Sequence, residues 1–191
     1  MTKTTPFLCL LLFSFSAPAQ TSLTDGASLL FKNVATKLTD AEKTAVFQSL
    51  AFLPSADKKQ FIMDATAADY PFDAQVFPAD LNKDGTEEIF VVYGNTYTSG
   101  NTGSSVVLFI KNAGAYKANL NFPGVTPDAL ATANQGYPDL LIGGPGMQFP
   151  VWRWNGKEYA YLKEMKNAEY GKLKKTSIEA LSKAYTTQLP K

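Results

Sequence analysis

Histidine is missing from this sequence of 191 residues, and cysteine and arginine occur once each, as Cys9 and Arg153. Those scarcities remove most familiar catalytic and metal chemistry. Without histidine there is no Ser-His-Asp triad and no imidazole-ligated zinc. A lone arginine is a poor basis for a surface that grips phosphates through bidentate guanidinium contacts, so nucleic acid is not expected as a partner.

Long apolar runs are also scarce. The clearest, Phe7 to Phe15, falls well short of the ~20 residues a membrane-crossing helix needs. It follows Lys3 and precedes the small-x-small site Ala17-Pro18-Ala19, so residues 1–19 read as a secretory signal cleaved before Gln20. Cys9 lies inside the apolar run, which argues against a lipid-anchored cysteine. The expectation is a secreted or periplasmic chain with no membrane span. Cleavage would remove the only thiol and Lys3, leaving 17 basic residues against 17 acidic. Residues 20–191 then suit a single domain with its own core and no disulfides.

What is present centres on Asp80 to Gly94, DLNKDGTEEIFVVYG, an acidic loop that opens into a strand. Asp80, Asn82 and Asp84 fall two apart, Gly85 permits a sharp reversal, and Glu88 closes the series. With the carbonyl of Thr86, these residues offer oxygen ligands spaced for a hard cation, and calcium fits because it takes six to eight oxygens. An EF-hand would place a bidentate glutamate at the twelfth position, which here is Val91 in an apolar strand. Asp, Asn and Gly are also ordinary turn residues, so an acidic turn holding no ion is the competing reading.

The loop resembles the strand-loop-strand calcium loop of FG-GAP and VCBS repeats, the kind found in integrin α-chain propellers, with pattern Asp-x-Asp/Asn-x-Asp-Gly-x-x-Asp. Asp80, Asn82, Asp84, Gly85 and Glu88 match it position by position, with glutamate replacing the final aspartate. The resemblance implies a bound Ca2+. It does not imply a propeller, since closure takes about four or more blades.

A shift of 51 residues aligns Gly85, Glu88, Ile89, Phe90 and Val91 with Gly136, Asp139, Leu140, Leu141 and Ile142. The same shift places Ala131, Ala133 and Gln135 where Asp80, Asn82 and Asp84 stand. The second unit therefore keeps the turn glycine and the closing acid but lacks the ligands, and one metal site is expected.

Residues 20–70 read as helical. Thr24 caps a helix carrying Leu29, Leu30, Val34 and Leu38, and Thr39 with Glu42 forms a capping box for a second helix burying Ala45, Val46, Phe47, Leu50 and Ala51. Ser55 caps a third with Phe61, Ile62 and Ala65. Residues 71–162 read as strands with two degenerate repeats. They include Gln75 to Ala79, Glu88 to Gly94, a hairpin turned at Asn112-Ala113-Gly114, and a hairpin turned at Asn155-Gly156. A two-residue turn there pairs Arg153 with Glu158 and Trp152 with Tyr159. It sets Trp152, Trp154, Tyr159 and Tyr161 on one face, suited either to a core or to a sugar or protein partner. GGPG at Gly143 to Gly146 lacks the Lys-Ser/Thr ending of a phosphate loop and reads as a tight connection. Residues 163–191 read as a lysine-rich linker, alternatively a strip for an acidic polymer, followed by a helix from Ser177 with Ile178, Leu181 and Tyr185 inward.

The fold expected is α+β: N-terminal helices packed on an antiparallel sheet of about six to eight strands, with a C-terminal helix. The function expected is non-enzymatic recognition of a protein or glycan, with calcium as a structural brace. The polar loop Asn95 to Ser105, including Tyr97, and the hairpin with Trp152, Trp154 and Tyr159 are the candidate binding surface. The alternatives are a polymer hydrolase using a carboxylate pair drawn from Asp69, Asp73 and Glu87, and an inhibitor of a secreted enzyme.

Overall fold

The computed structural model describes residues 23–143 and 149–190. The proposed signal segment, Cys9 and Gly144 to Gly146 lie outside them. The fold is α+β, with helices at both ends of a largely antiparallel β region. The strands divide between two main sheets rather than joining one, and among the described residues neither closes into a barrel or propeller. No described helix is long and apolar enough to cross a membrane.

Helix α1 (Asp25–Leu30) starts where the Thr24 hydroxyl accepts the Ala27 N–H. It is shorter than its apolar spacing predicts, because the chain turns through Asn33 at φ +62°, leaving Val34 and Leu38 outside the helix. Helix α2 (Asp40–Ser49) has the expected capping box: Thr39 N–H donates to the Glu42 carboxylate at 2.8 Å, and Glu42 N–H to the Thr39 hydroxyl at 3.3 Å. It buries Thr44, Val46 and Phe47, with Leu50 behind them, while Ala45 and Ala51 face solvent.

The third helix expected after Ser55 is absent. In its place β1 (Leu53–Pro54) pairs with β2 (Phe61–Ile62). The Ser55 hydroxyl accepts the Gln60 N–H and donates to the Gln60 carbonyl, closing a loop instead of starting a helix, and Lys58 turns at φ +54°. Phe61 and Ile62 are thereby buried side by side.

Next come β3 (Asp73–Ala79), β4 (Glu88–Gly94), β5 (Ser105–Asn112) and β6 (Ala115–Pro123), an up-and-down meander in that order. Ala113 and Gly114, both at positive φ, make the tight turn between β5 and β6, as the sequence predicts. A short helix α3 (Thr96–Ser99) fills the polar stretch after β4. The second sheet contains β7 (Asp128–Asn134), β8 (Tyr137–Leu141), β9 (Phe149–Trp154) and β10 (Tyr159–Met165) as another meander. Helix α4 (Asn167–Tyr170), strand β11 (Lys175–Ser177) paired on β7, and helix α5 (Ile178–Thr186) end the chain. The lysine-rich stretch is thus not a linker: its two ends are built into the sheet.

Alternation along the strands explains the layering. Ile89, Val91, Val107 and Phe109 face the N-terminal helices and the aromatic group Phe47, Phe52, Phe61 and Phe72. Phe90, Val106, Leu108 and Ile110 face the second sheet and the start of α5, in one cluster with Tyr137, Leu140, Ile142, Tyr159 and Ile178. A sheet buried on both faces needs apolar residues at consecutive positions, which is why β4 and β5 read as unbroken runs.

The β9–β10 hairpin departs from expectation in register. Trp154 pairs with Tyr159, Arg153 with Ala160 and Trp152 with Tyr161. The Asn155 side chain accepts the N–H groups of Lys157 and Glu158, and Asn155 N–H bonds the Glu158 carbonyl, so the loop takes four residues. A slip of two preserves the facing of every side chain. It does remove the expected Arg153–Glu158 pair: Arg153 binds Asp139 through Nε at 2.8 Å and Nη2 at 2.7 Å.

Candidate metal centre

The loop joining β3 to β4 folds through two positive-φ residues, Lys83 at +62° and Gly85 at +88°. A side chain of any other kind at Gly85 would be strained by the backbone, although nothing lies within 4 Å of its Cβ direction. The reversal turns three side-chain groups onto the loop's own backbone. Asp80 accepts the N–H of Asp84 at 3.0 Å and of Gly85 at 2.9 Å, one on each carboxylate oxygen. The Asn82 carbonyl oxygen accepts Asp84 N–H at 3.1 Å, and one Asp84 oxygen accepts Thr86 N–H at 2.7 Å. The other Asp84 oxygen takes the Asn82 amide at 2.8 Å.

Glu88 stands apart from that arc. Its carboxylate is 1% exposed and lies inside the domain, accepting Leu81 N–H at 2.8 Å and the Tyr137 hydroxyl at 2.9 Å. Burial pushes its pKa up to about 7; the two hydrogen bonds pull the other way, and the charges of Asp84 and Asp80 add to the rise. The Asp84 carboxyl is lowered: partial burial opposes this, but the bonds from Thr86 and Asn82 outweigh it.

The donor set fits a hard divalent ion, since it is all oxygen and each carboxylate or amide oxygen bound by one N–H keeps a second lone pair. Asp80, Asn82, Asp84 and the Thr86 carbonyl would hold the ion, with Glu88 behind them. Among the described residues no three acidic, histidine or cysteine side chains are drawn together in ligating geometry. The loop's own share is two carboxylates and an amide.

No family model, curated protein or solved structure matches this chain.

The second unit sits against the first. A Cβ at Gly136 would meet Asn82 at 3.6 Å, so the β7–β8 turn touches the acidic loop. Gly136 has φ +86°, close to the +88° of Gly85, and Asp139, like Glu88, is 1% exposed. The two buried acids are neutralised differently. Asp139 is held below its usual range: burial opposes this, but the Arg153 guanidinium and the Thr132 hydroxyl prevail.

Glu87 is equally buried. It accepts the Thr36 hydroxyl, Lys37 N–H and, at 3.3 Å, the Tyr185 hydroxyl, so it fastens the N-terminal segment and α5 to the start of β4. Asp69 and Asp73 lie at the surface, with Asp73 accepting the Gln60 amide at 3.2 Å.

The candidate binding residues separate. Tyr159 is buried at 3% exposure, with its hydroxyl on the Pro138 carbonyl. Trp152 and Trp154 are half-buried, stacked on Phe122 and tilted against Tyr137. Tyr97 is 58% exposed and lies flat on Tyr70, ring centroids 4.0 Å apart. The loop between β4 and β5 is closed by its own bonds: Asn95 caps α3 and binds the Tyr70 and Pro71 carbonyls, and Ser99 meets Ser105. Sequence spacing pointed to neither Tyr70 nor Tyr137, because their roles arise from contacts distant in the chain. The 51-residue repeat did carry the signal for Asp139.

Proposed function

We propose that this protein is an exported recognition domain for a protein or glycan, braced by one calcium ion held by Asp80, Asn82, Asp84 and the Thr86 carbonyl, with Glu88 behind them. The observation that carries the reading is the loop's hydrogen bonding. Three oxygen-bearing side chains at alternate positions converge on the N–H groups of Asp84, Gly85 and Thr86, and a buried acid with a raised pKa stands behind them. The Asp80 and Asp84 carboxylates, two oxygen-rich anions on one turn, are groups that a divalent cation would draw together. The β3–β4 and β7–β8 hairpins, which the 51-residue shift brings into register, support the likeness to an FG-GAP or VCBS repeat.

The ion's role in this reading is structural. Bound at about a hundredfold over its dissociation constant, it adds about 2.7 kcal/mol to stability. The recognition surface is the Tyr70–Tyr97 stack, where a flat exposed ring offers a face to a sugar or a partner side chain. Thermal melting with calcium and with chelator tests the brace. Binding of Tyr97→Ala to a glycan array and to proteins from the same compartment tests the surface.

A further inference from the structure

We propose that the groove bounded by the end of β3, β7, β11 and α5 binds a single-chain aliphatic carboxylate, its chain along a leucine-lined floor and its headgroup at Lys83 and Lys174. The groove has a volume of about 560 Å3, inside the range of small-molecule sites. Leu81, Ala129, Leu130, Pro138, Leu173 and Leu181 give it aliphatic walls. Its one aromatic ring, Tyr185, has its hydroxyl committed to Glu87. Walls of this kind match an alkyl chain better than a sugar, which prefers flat rings.

The rim selects the charge. Lys83, Lys174, Lys175 and Asp80 border the groove. Lys175 is held by Asp128 and the Tyr170 hydroxyl, and both Asp80 oxygens accept loop N–H groups. Lys83 and Lys174 are exposed, and neither pairs with a carboxylate among the described residues. Two exposed lysines without a carboxylate partner, set at the rim of an aliphatic groove, suit an anionic head on an apolar tail. This inference does not depend on the ion.

The test is calorimetric titration of the folded chain with dodecanoate, below its micelle concentration and in chelator. The expected result is saturable one-to-one binding that Lys83→Gln/Lys174→Gln weakens by roughly tenfold or more. Dodecanol, with the same chain and no charge, should bind both proteins equally weakly. Ala131→Phe, which adds a ring at an exposed groove-lining position, should block dodecanoate. The double lysine variant alters only exposed side chains, so it carries the test if the phenylalanine variant folds poorly. No saturable binding, equal affinity in the lysine variant, or association only with phosphatidylglycerol vesicles would each overturn the proposal.

Discussion

The hydroxyl of Tyr137 donates to the carboxylate of Glu88 at 2.9 Å, joining the first residue of β8 to the first residue of β4 across 49 positions of sequence. It ties the last member of the acidic loop to the second sheet, so loop and inter-sheet core are one unit. A change at either end should be felt at the other.

The first prediction concerns pH. In ion-free protein the Glu88 carboxyl titrates at about 7 when folded, against 4.5 in its ordinary state. Below 4.5 it is protonated in both states and costs nothing. As pH rises from 4.5 to 7 the unfolded chain releases the proton while the folded one keeps it, so stability falls by about 3 kcal/mol and then levels off. Urea midpoints in chelator should show that decline, and Glu88→Gln should flatten it. The same profile in both proteins would refute the assignment.

The ion pair of the second unit gives another. Arg153→Met leaves the Asp139 carboxylate buried beside Thr132 without its cation, and the melting temperature should drop clearly. Glu158→Gln, at a site with no such contact, should change it little. Equal effects would restore the shorter hairpin turn.

Core and surface should respond very differently. Phe90 is fully buried between the sheets, and Phe90→Ala should cost about 3–5 kcal/mol in chemical unfolding. Tyr97→Ala removes only one exposed face-to-face ring contact and should cost at most about 1 kcal/mol. If it nonetheless abolishes partner binding, the effect belongs to the surface and not to the fold.

The parts legible in the sequence were those set by local chemistry. The capping box at Thr39 and Glu42, the turn at Ala113-Gly114 and the apolar runs of β4 and β5 all formed as their residues require. What escaped was decided by contacts distant in the chain. Ser55 has the chemistry of a helix cap but closes a loop onto Gln60, because Phe61 gains more by joining the aromatic group around Phe52 and Phe72. Arg153 has an acid five residues ahead in Glu158, yet Asp139 on the neighbouring strand is buried and binds it through two nitrogens. The alternate spacing of Asp80, Asn82 and Asp84 was readable, but the withdrawal of Glu88 toward Tyr137 was not, since nothing near either residue announces the other.

The most direct test of the account is thermal melting of the wild-type chain and of Asp84→Ala, each with millimolar calcium and with chelator. Calcium should raise the wild-type melting temperature by several degrees, about 2.7 kcal/mol at a hundredfold excess over the dissociation constant, and leave Asp84→Ala unmoved. A wild-type melting temperature indifferent to calcium and chelator would contradict it.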